Sequence, residues 1–143
     1  MSPNNESGMS CFSIYACGKE VVRRHKEYLD PLDLTYTQYI AMAALWETEE
    51  ITVKDLGDKL SLDSGTLTPL LKRLESKGYI TRKRSRDDER NLIIECTAEG
   101  KKLKEKAAHI PSSIKCHFGL SESECNQLGS LLDKLFNNIK ESY

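Results

Sequence analysis

Two sets of residues in this 143-residue chain could do chemistry. The first is five thiols: Cys11, Cys17, Cys96, Cys116 and Cys125. An odd number cannot all pair within one chain, and no two stand in a Cys-x-x-Cys arrangement. That argues against both a disulfide scaffold and a zinc ribbon. In a reducing cytosol the default for each is a buried, inert thiol acting as a small hydrophobe. The second set is a run of cations. Between Lys72 and Arg90 stand eight (Lys72, Arg73, Lys77, Arg82, Lys83, Arg84, Arg86 and Arg90) against four anions (Glu75, Asp87, Asp88 and Glu89), a net of +4 within a chain of net charge -1. Positive charge segregated in this way suits the phosphates and groove edges of a nucleic acid. His25, His109 and His117 match no metal-ligand spacing, so exposed or packing roles are expected for them, and no metal or other cofactor.

The elements that must position these residues follow from length and pattern. The chain has the commonest length for one domain, and 38% hydrophobic with 30% charged residues suits a soluble, helix-rich fold with a modest core. No apolar run approaches the roughly 18 residues needed to cross a bilayer. The opening MSPNNESGMS has neither a basic nor an apolar segment of a secretory signal, so a cytoplasmic location and no membrane partner are expected.

Residues 1-8 are polar, with Pro3 and Gly8, and are expected to form a flexible arm. Cys11 to Leu29 carries apolar and basic residues at helical spacing, and Asp30-Pro31 supplies the stop. Thr35-Tyr-Thr-Gln38 has capping-box spacing and opens a helix to about Glu47, while Thr52-Val-Lys-Asp55 is a looser version before a helix of about nine residues. After the turn residues Ser61 to Gly65, Leu67, Leu70, Leu71 and Leu74 recur at helical spacing up to Gly78. Pro69 complicates the start of that helix. Local rules favour Thr68 as N-cap with Pro69 at the first helical position, where a missing N–H costs nothing. Residues 79-84 and 92-96 then have strand character, joined by a charged turn. Helical composition returns from Thr97 toward Pro111, and the capping box Ser121-Glu-Ser-Glu124 opens a last helix to about Lys140, striped by Leu128, Leu131, Leu132, Leu135, Phe136 and Ile139.

Helix, tight turn, helix and charged hairpin is the order of a winged helix-turn-helix, and the cations fall on its second helix and wing. The run from Leu62 to Glu75, LDSGTLTPLLKRLE, followed by Gly78, Arg82, Arg84 and Asp87-Asp-Glu-Arg90, resembles the MarR family of winged-helix regulators. More narrowly it is similar to the organic-hydroperoxide-sensing branch, over nearly the whole chain. The resemblance implies a mainly α fold with a small β-hairpin wing, built as a homodimer with interlocked N- and C-terminal helices. Residues 9-34 and 98-143 would form the helical dimerisation region, and 35-97 the lobe that binds double-stranded operator DNA. It also implies a recognition helix beginning near Asp63, against the local reading, with Asp63, Ser64, Thr66 and Thr68 facing the groove. Lys72 and Arg73 would meet phosphates alongside Arg82, Arg84 and Arg86. Arg90 would enter the minor groove, with Asp88 holding its guanidinium.

In that branch the sensor cysteine lies early in the first helix in a Cys-Phe-x-x-Tyr setting, which Cys11-Phe-Ser-Ile-Tyr15 fits. The reactive species is a thiolate, favoured by a helix N-terminus and hydroxyl donors. The resemblance surrounds the sensor with tyrosines of the other subunit, here Tyr15 and Tyr36. At the third tyrosine position stands His25, an imidazole in place of a phenol, with Tyr28 one turn away as a substitute. Cys116 lies where the two-cysteine type carries its resolving thiol. The expected function is a repressor released when organic hydroperoxide oxidises Cys11. The rivals are a regulator that binds small phenolic compounds with its cysteines idle, a small-molecule thiol as resolver in place of Cys116, and a thiol peroxidase.

Overall fold

The structure, a computed structural model, describes residues 11-84 and 92-142. The expected flexible arm and the wing-tip residues Arg86, Asp88 and Arg90 lie outside the described residues. The chain divides into two units, Met1–Ile110 and Pro111–Tyr143.

The first unit opens with α1 (Cys11–Leu29), ended as expected at Asp30-Pro31 by a 3-10 turn over Asp30–Leu32. Asp33 takes a left-handed conformation (φ 53°), and the chain reverses into α2 (Tyr36–Thr48). The capping box forms in full: Thr35 Oγ1 accepts the Gln38 N–H at 3.2 Å, and Gln38 Oε1 accepts the Thr35 N–H at 3.1 Å. Strand β1 (Glu50–Thr52) leads into α3 (Val53–Leu60), where Thr52 accepts the Asp55 N–H at 3.1 Å. Helix α4 (Ser64–Ser76) follows a three-residue connection.

The N-cap of α4 is Asp63, whose Oδ1 accepts the Thr66 N–H at 2.8 Å, and Pro69 sits inside the helix. The local expectation of a start at Thr68 is therefore corrected. The N–H that Pro69 lacks would have bonded the carbonyl of Gly65, which is exposed and can turn to water, so the capped first turn outweighs the single lost bond. The other end of α4 is a Schellman motif. Gly78 takes φ 83°, its N–H bonds the Glu75 carbonyl at 2.9 Å, and the Tyr79 N–H reaches the Leu74 carbonyl at 3.1 Å.

Strands β2 (Ile80–Arg84) and β3 (Leu92–Cys96) form the expected antiparallel hairpin, with Ile80 opposite Cys96 and Arg84 opposite Leu92. The sheet has a third member that the sequence reading missed: β1 pairs with the other edge of β3, Ile51 opposite Ile94. α5 (Ala98–Ala107) is capped by Thr97, which accepts the Gly100 N–H and donates its hydroxyl to the Gly78 carbonyl at 2.6 Å, tying the helix to the Schellman turn. A Cβ on Gly100 would collide with the Tyr79 carbonyl oxygen and lie 2.6 Å from Cys96 Sγ, so only glycine fits. The Gly100 carbonyl also accepts the Trp46 indole N–H at 2.9 Å. Leu45, Leu56, Leu67, Leu71, Leu74, Ile80 and Ile94 are fully buried and make the core of this lobe.

The second unit holds most of α6 (Ile110–Lys115), with Pro111 in its first turn where no N–H is missed, and α7 (Glu122–Glu141). Ser121 and Glu124 complete the expected capping box at the start of α7. None of the residues of α7 is buried, and Leu131, Leu132, Phe136 and Ile139 are 47% to 65% exposed. Among the described residues no helix is long and apolar enough to cross a membrane.

Candidate functional site

Helix α4 is two-faced. Leu67, Leu70, Leu71 and Leu74 are buried, while Asp63, Ser64, Thr66, Thr68, Lys72 and Arg73 are exposed together on the outer side. Leucines at helical spacing fasten one side to the lobe, and the small hydroxyl residues and cations of the other are left for solvent or a partner. Hydrogen bonds from Thr66 hold the Asp63 carboxyl below its ordinary value, so the N-cap stays ionised at neutral pH.

The described cations of the wing divide into two kinds. Arg84 is exposed. Arg82 is half-buried: its guanidinium donates to Glu75 Oε1 at 2.9 Å, which holds the Glu75 carboxyl below its ordinary range, and its Nε is buried with no hydrogen-bond partner among the described residues. Arg82 thus joins β2 to the last turn of α4. Lys83 pairs with Glu95 on β3 at 2.6 Å and holds that carboxyl down in the same way.

Cys11 is the first residue of α1 and is exposed; Tyr15, one turn later, is 67% exposed. The other residues expected around the sensor gather at the far end of the same helix. His25 is buried, its Nδ1 lies 2.7 Å from the Val21 carbonyl oxygen, and its ring stands edge-on to Tyr36 at 4.9 Å between centroids, with Tyr39 at 5.9 Å. Burial pushes the Tyr36 phenol up from its ordinary value. Tyr28 packs edge-on against His109 at 6.0 Å. At 1.5 Å per residue, the fourteen positions from Cys11 to His25 span about 21 Å of helix. One chain therefore does not bring Cys11 together with His25, Tyr28 and Tyr36.

Cys116 follows α6 in the second unit and is exposed. The default of five buried thiols is corrected: Cys11, Cys17 and Cys116 are exposed, and Cys96 and Cys125 are half-buried. Cys96 comes nearest to the inert kind, since burial pushes its thiol up and its Sγ packs beside Gly100. No group of three or more metal-binding side chains occurs among the described residues.

The described lobe has the helix order, sheet and exposed basic helix of a winged helix-turn-helix. The family profile described as Transcriptional regulator SarA/Rot matches residues 24-107. The Organic hydroperoxide resistance transcriptional regulator of Bacillus subtilis (strain 168) is 49% identical over 130 residues, covering 91% of this chain and 86% of that relative. The chain belongs to the MarR family, in its OhrR-like branch. Within that family, the HTH-type transcriptional regulator SarZ of Staphylococcus aureus (strain MRSA252) is 43% identical over 132 residues, covering 90% of this chain and 89% of its own. Among solved MarR-family structures, reduced AbfR bound to DNA has a TM-score of 0.79 at 32% identity, covering 92% of this chain and 90% of that one. AbfR, from Staphylococcus epidermidis, is also known overoxidised on DNA and in a disulfide-formed state. The expected fold, a mainly helical winged helix-turn-helix with a small sheet, is the one found, and the chain is a DNA-binding transcription regulator of MarR type.

Proposed function

We propose that this protein is a cytoplasmic, homodimeric repressor that reads an inverted-repeat operator while Cys11 is a thiol and leaves it when organic hydroperoxide oxidises that sulfur. The observation that carries the reading is the division of α1. Its sulfur-bearing end is exposed and its far end, with His25 against Tyr36 and Tyr39, is packed into the lobe, so one chain holds both halves of a sensor without joining them. The exposed apolar residues Phe12, Ile14, Tyr15 and Val22 on α1, and those on α7, supply surface that a second copy would cover. A two-fold dimer would also set two α4 helices about one DNA turn apart, or a multiple of it. In each copy Asp63, Ser64, Thr66 and Thr68 would face the major groove, with Lys72, Arg73, Arg84 and Arg86 near phosphates and Arg90, held by Asp88, in the minor groove. The chain acts as a regulator and not as an enzyme.

The chemistry balances without a cofactor. The Cys11 thiolate attacks one peroxide oxygen, an S–O bond forms, the O–O bond breaks, and the alkoxide leaves with a proton as alcohol. The resulting sulfenic acid is attacked by the Cys116 thiolate of the second subunit, an S–S bond forms, and water departs. Two electrons pass from sulfur to the peroxide. The related AbfR supports a crosslink as the releasing event, since its overoxidised form is found on DNA and a separate disulfide-formed state exists. A covalent tie between subunits can shift the lobes where a lone oxidised sulfur does not.

The test is a non-reducing gel run beside an operator gel shift after cumene hydroperoxide. Wild type should give a crosslinked dimer and lose DNA, whereas Cys116→Ser should give no crosslink and keep its DNA unless a small thiol is added. A Cys116→Ser protein that still crosslinks would remove Cys116 from the mechanism.

A further inference from the structure

Lys77 belongs to the most basic segment of the chain, yet it does not project into solvent as Lys72 and Arg73 do. Only 27% of its side chain is exposed. Its ammonium donates to the Asp33 main-chain carbonyl, reaches Gln38 Oε1 at 3.4 Å, and lies 3.4 Å from Asp33 Oδ2. Each acceptor is itself held in place. Asp33 is the left-handed residue that closes the turn after α1, its N–H bonded to the Asp30 carbonyl at 3.0 Å. Gln38 is 4% exposed and belongs to the capping box that starts α2. Lys77 is meanwhile the C-cap of α4, its N–H on the Arg73 carbonyl at 3.0 Å.

One ammonium therefore joins the end of α4 to the corner where α1 hands the chain to α2. A strongly hydrated cation turns inward only where oxygens replace its water, and three do so here. The Asp33 carboxylate is almost wholly exposed and adds little, so the carbonyl and the buried Gln38 amide fix the geometry. We propose that Lys77 is a positioning residue for DNA reading: it sets α4 from the α1–α2 corner and contacts no phosphate. The proposal rests on α4 being the reading helix. It separates Lys77 from Lys72 and Arg73 on the same helix, whose charge would act on DNA directly.

Salt dependence distinguishes the two roles. A cation that neutralises a phosphate releases a counterion, so its loss lowers the slope of log affinity against log salt by about 0.9, whereas loss of a positioning residue leaves the slope alone. Reduced full-length protein is titrated, over a salt series, on a duplex that the wild type selects from a random-sequence pool. Lys77→Met should weaken binding about tenfold with the wild-type slope. Lys77→Gln, which keeps a donor, should fall between the two at that same slope, and Lys72→Met should show the reduced slope. A reduced slope in Lys77→Met and Lys77→Gln would make Lys77 a phosphate contact and overturn the proposal, as would unchanged affinity in both. Failure of the wild type to select any duplex would instead overturn the DNA-reading role of α4 and take the Lys77 role with it.

Discussion

The lobe from α2 to β3 closes its core within one chain, whereas the amphipathic helices α1 and α7 leave most of their apolar residues exposed. In the lobe, Leu45, Leu56, Leu67, Leu74 and Ile94 are buried to 1% exposure or less. In α1, only His25 and Leu29 are buried, both near its C-terminal end, and in α7 no residue is. The described part of the lobe buries its core within one chain, whereas α1 and α7 keep exposed apolar residues that the proposed dimer would cover. A switch benefits from that division, because a change at an interface moves whole lobes without unfolding either.

The largest expected effect comes from attacking the open region. Leu131→Asp together with Phe136→Asp on α7 removes two apolar side chains worth about 2 kcal/mol each if a partner covers them. Both copies carry the pair, so four side chains or about 8 kcal/mol are lost per dimer, and the dimer dissociation constant should rise by roughly five powers of ten or more by sedimentation, with the lobe still folded by circular dichroism. A variant that stays dimeric would show that α7 faces something other than a second copy. Next in size is a change in the closed region. Gly100→Ala drives a methyl into the Tyr79 carbonyl and Cys96 Sγ and should cost about 3 kcal/mol in urea unfolding, with no change in subunit affinity among molecules that remain folded. A loss below about 0.5 kcal/mol would mean that the contact relaxes easily.

The smallest effect is the acid response of the α4 cap. Because hydrogen bonds from Thr66 lower the Asp63 carboxyl in the folded state, its contribution to stability is present above the unfolded value, about 3.9. It is lost as pH falls through the lower folded value. Asp63→Asn, which still caps but does not titrate, should flatten the stability profile below about pH 4. A profile identical to wild type would leave Asp63 without a role in the acid response.

Much of this was legible in the sequence because it depends on neighbours in the chain. The caps at Thr35, Thr52 and Ser121, the stops at Pro31 and Gly78, and the buried leucines of α4 are set within a turn or two of helix. What was missed depends on residues far along the chain. Strand β1 is three residues long and exists because β3 offers it an edge. Gly100 has no local signature, since its constraint comes from Tyr79, and Lys77 and Arg82 count as free cations until Gln38 and Glu75 are seen beside them. The start of α4 lay between the two kinds: a cap at Asp63 and a breaker at Pro69 are both local signals, and the family resemblance favoured the cap.

The central claim is that formation of a disulfide at Cys11 decides whether the dimer holds its operator. Reduced wild type and Cys11→Ser are titrated with cumene hydroperoxide, operator occupancy is followed by fluorescence anisotropy, and Cys11 is assayed by mass spectrometry in the same samples. Occupancy of the wild type should fall in step with disulfide formation at Cys11, while Cys11→Ser stays bound throughout. Wild type that remains on the operator with Cys11 fully in a disulfide, or Cys11→Ser that is released, would contradict it.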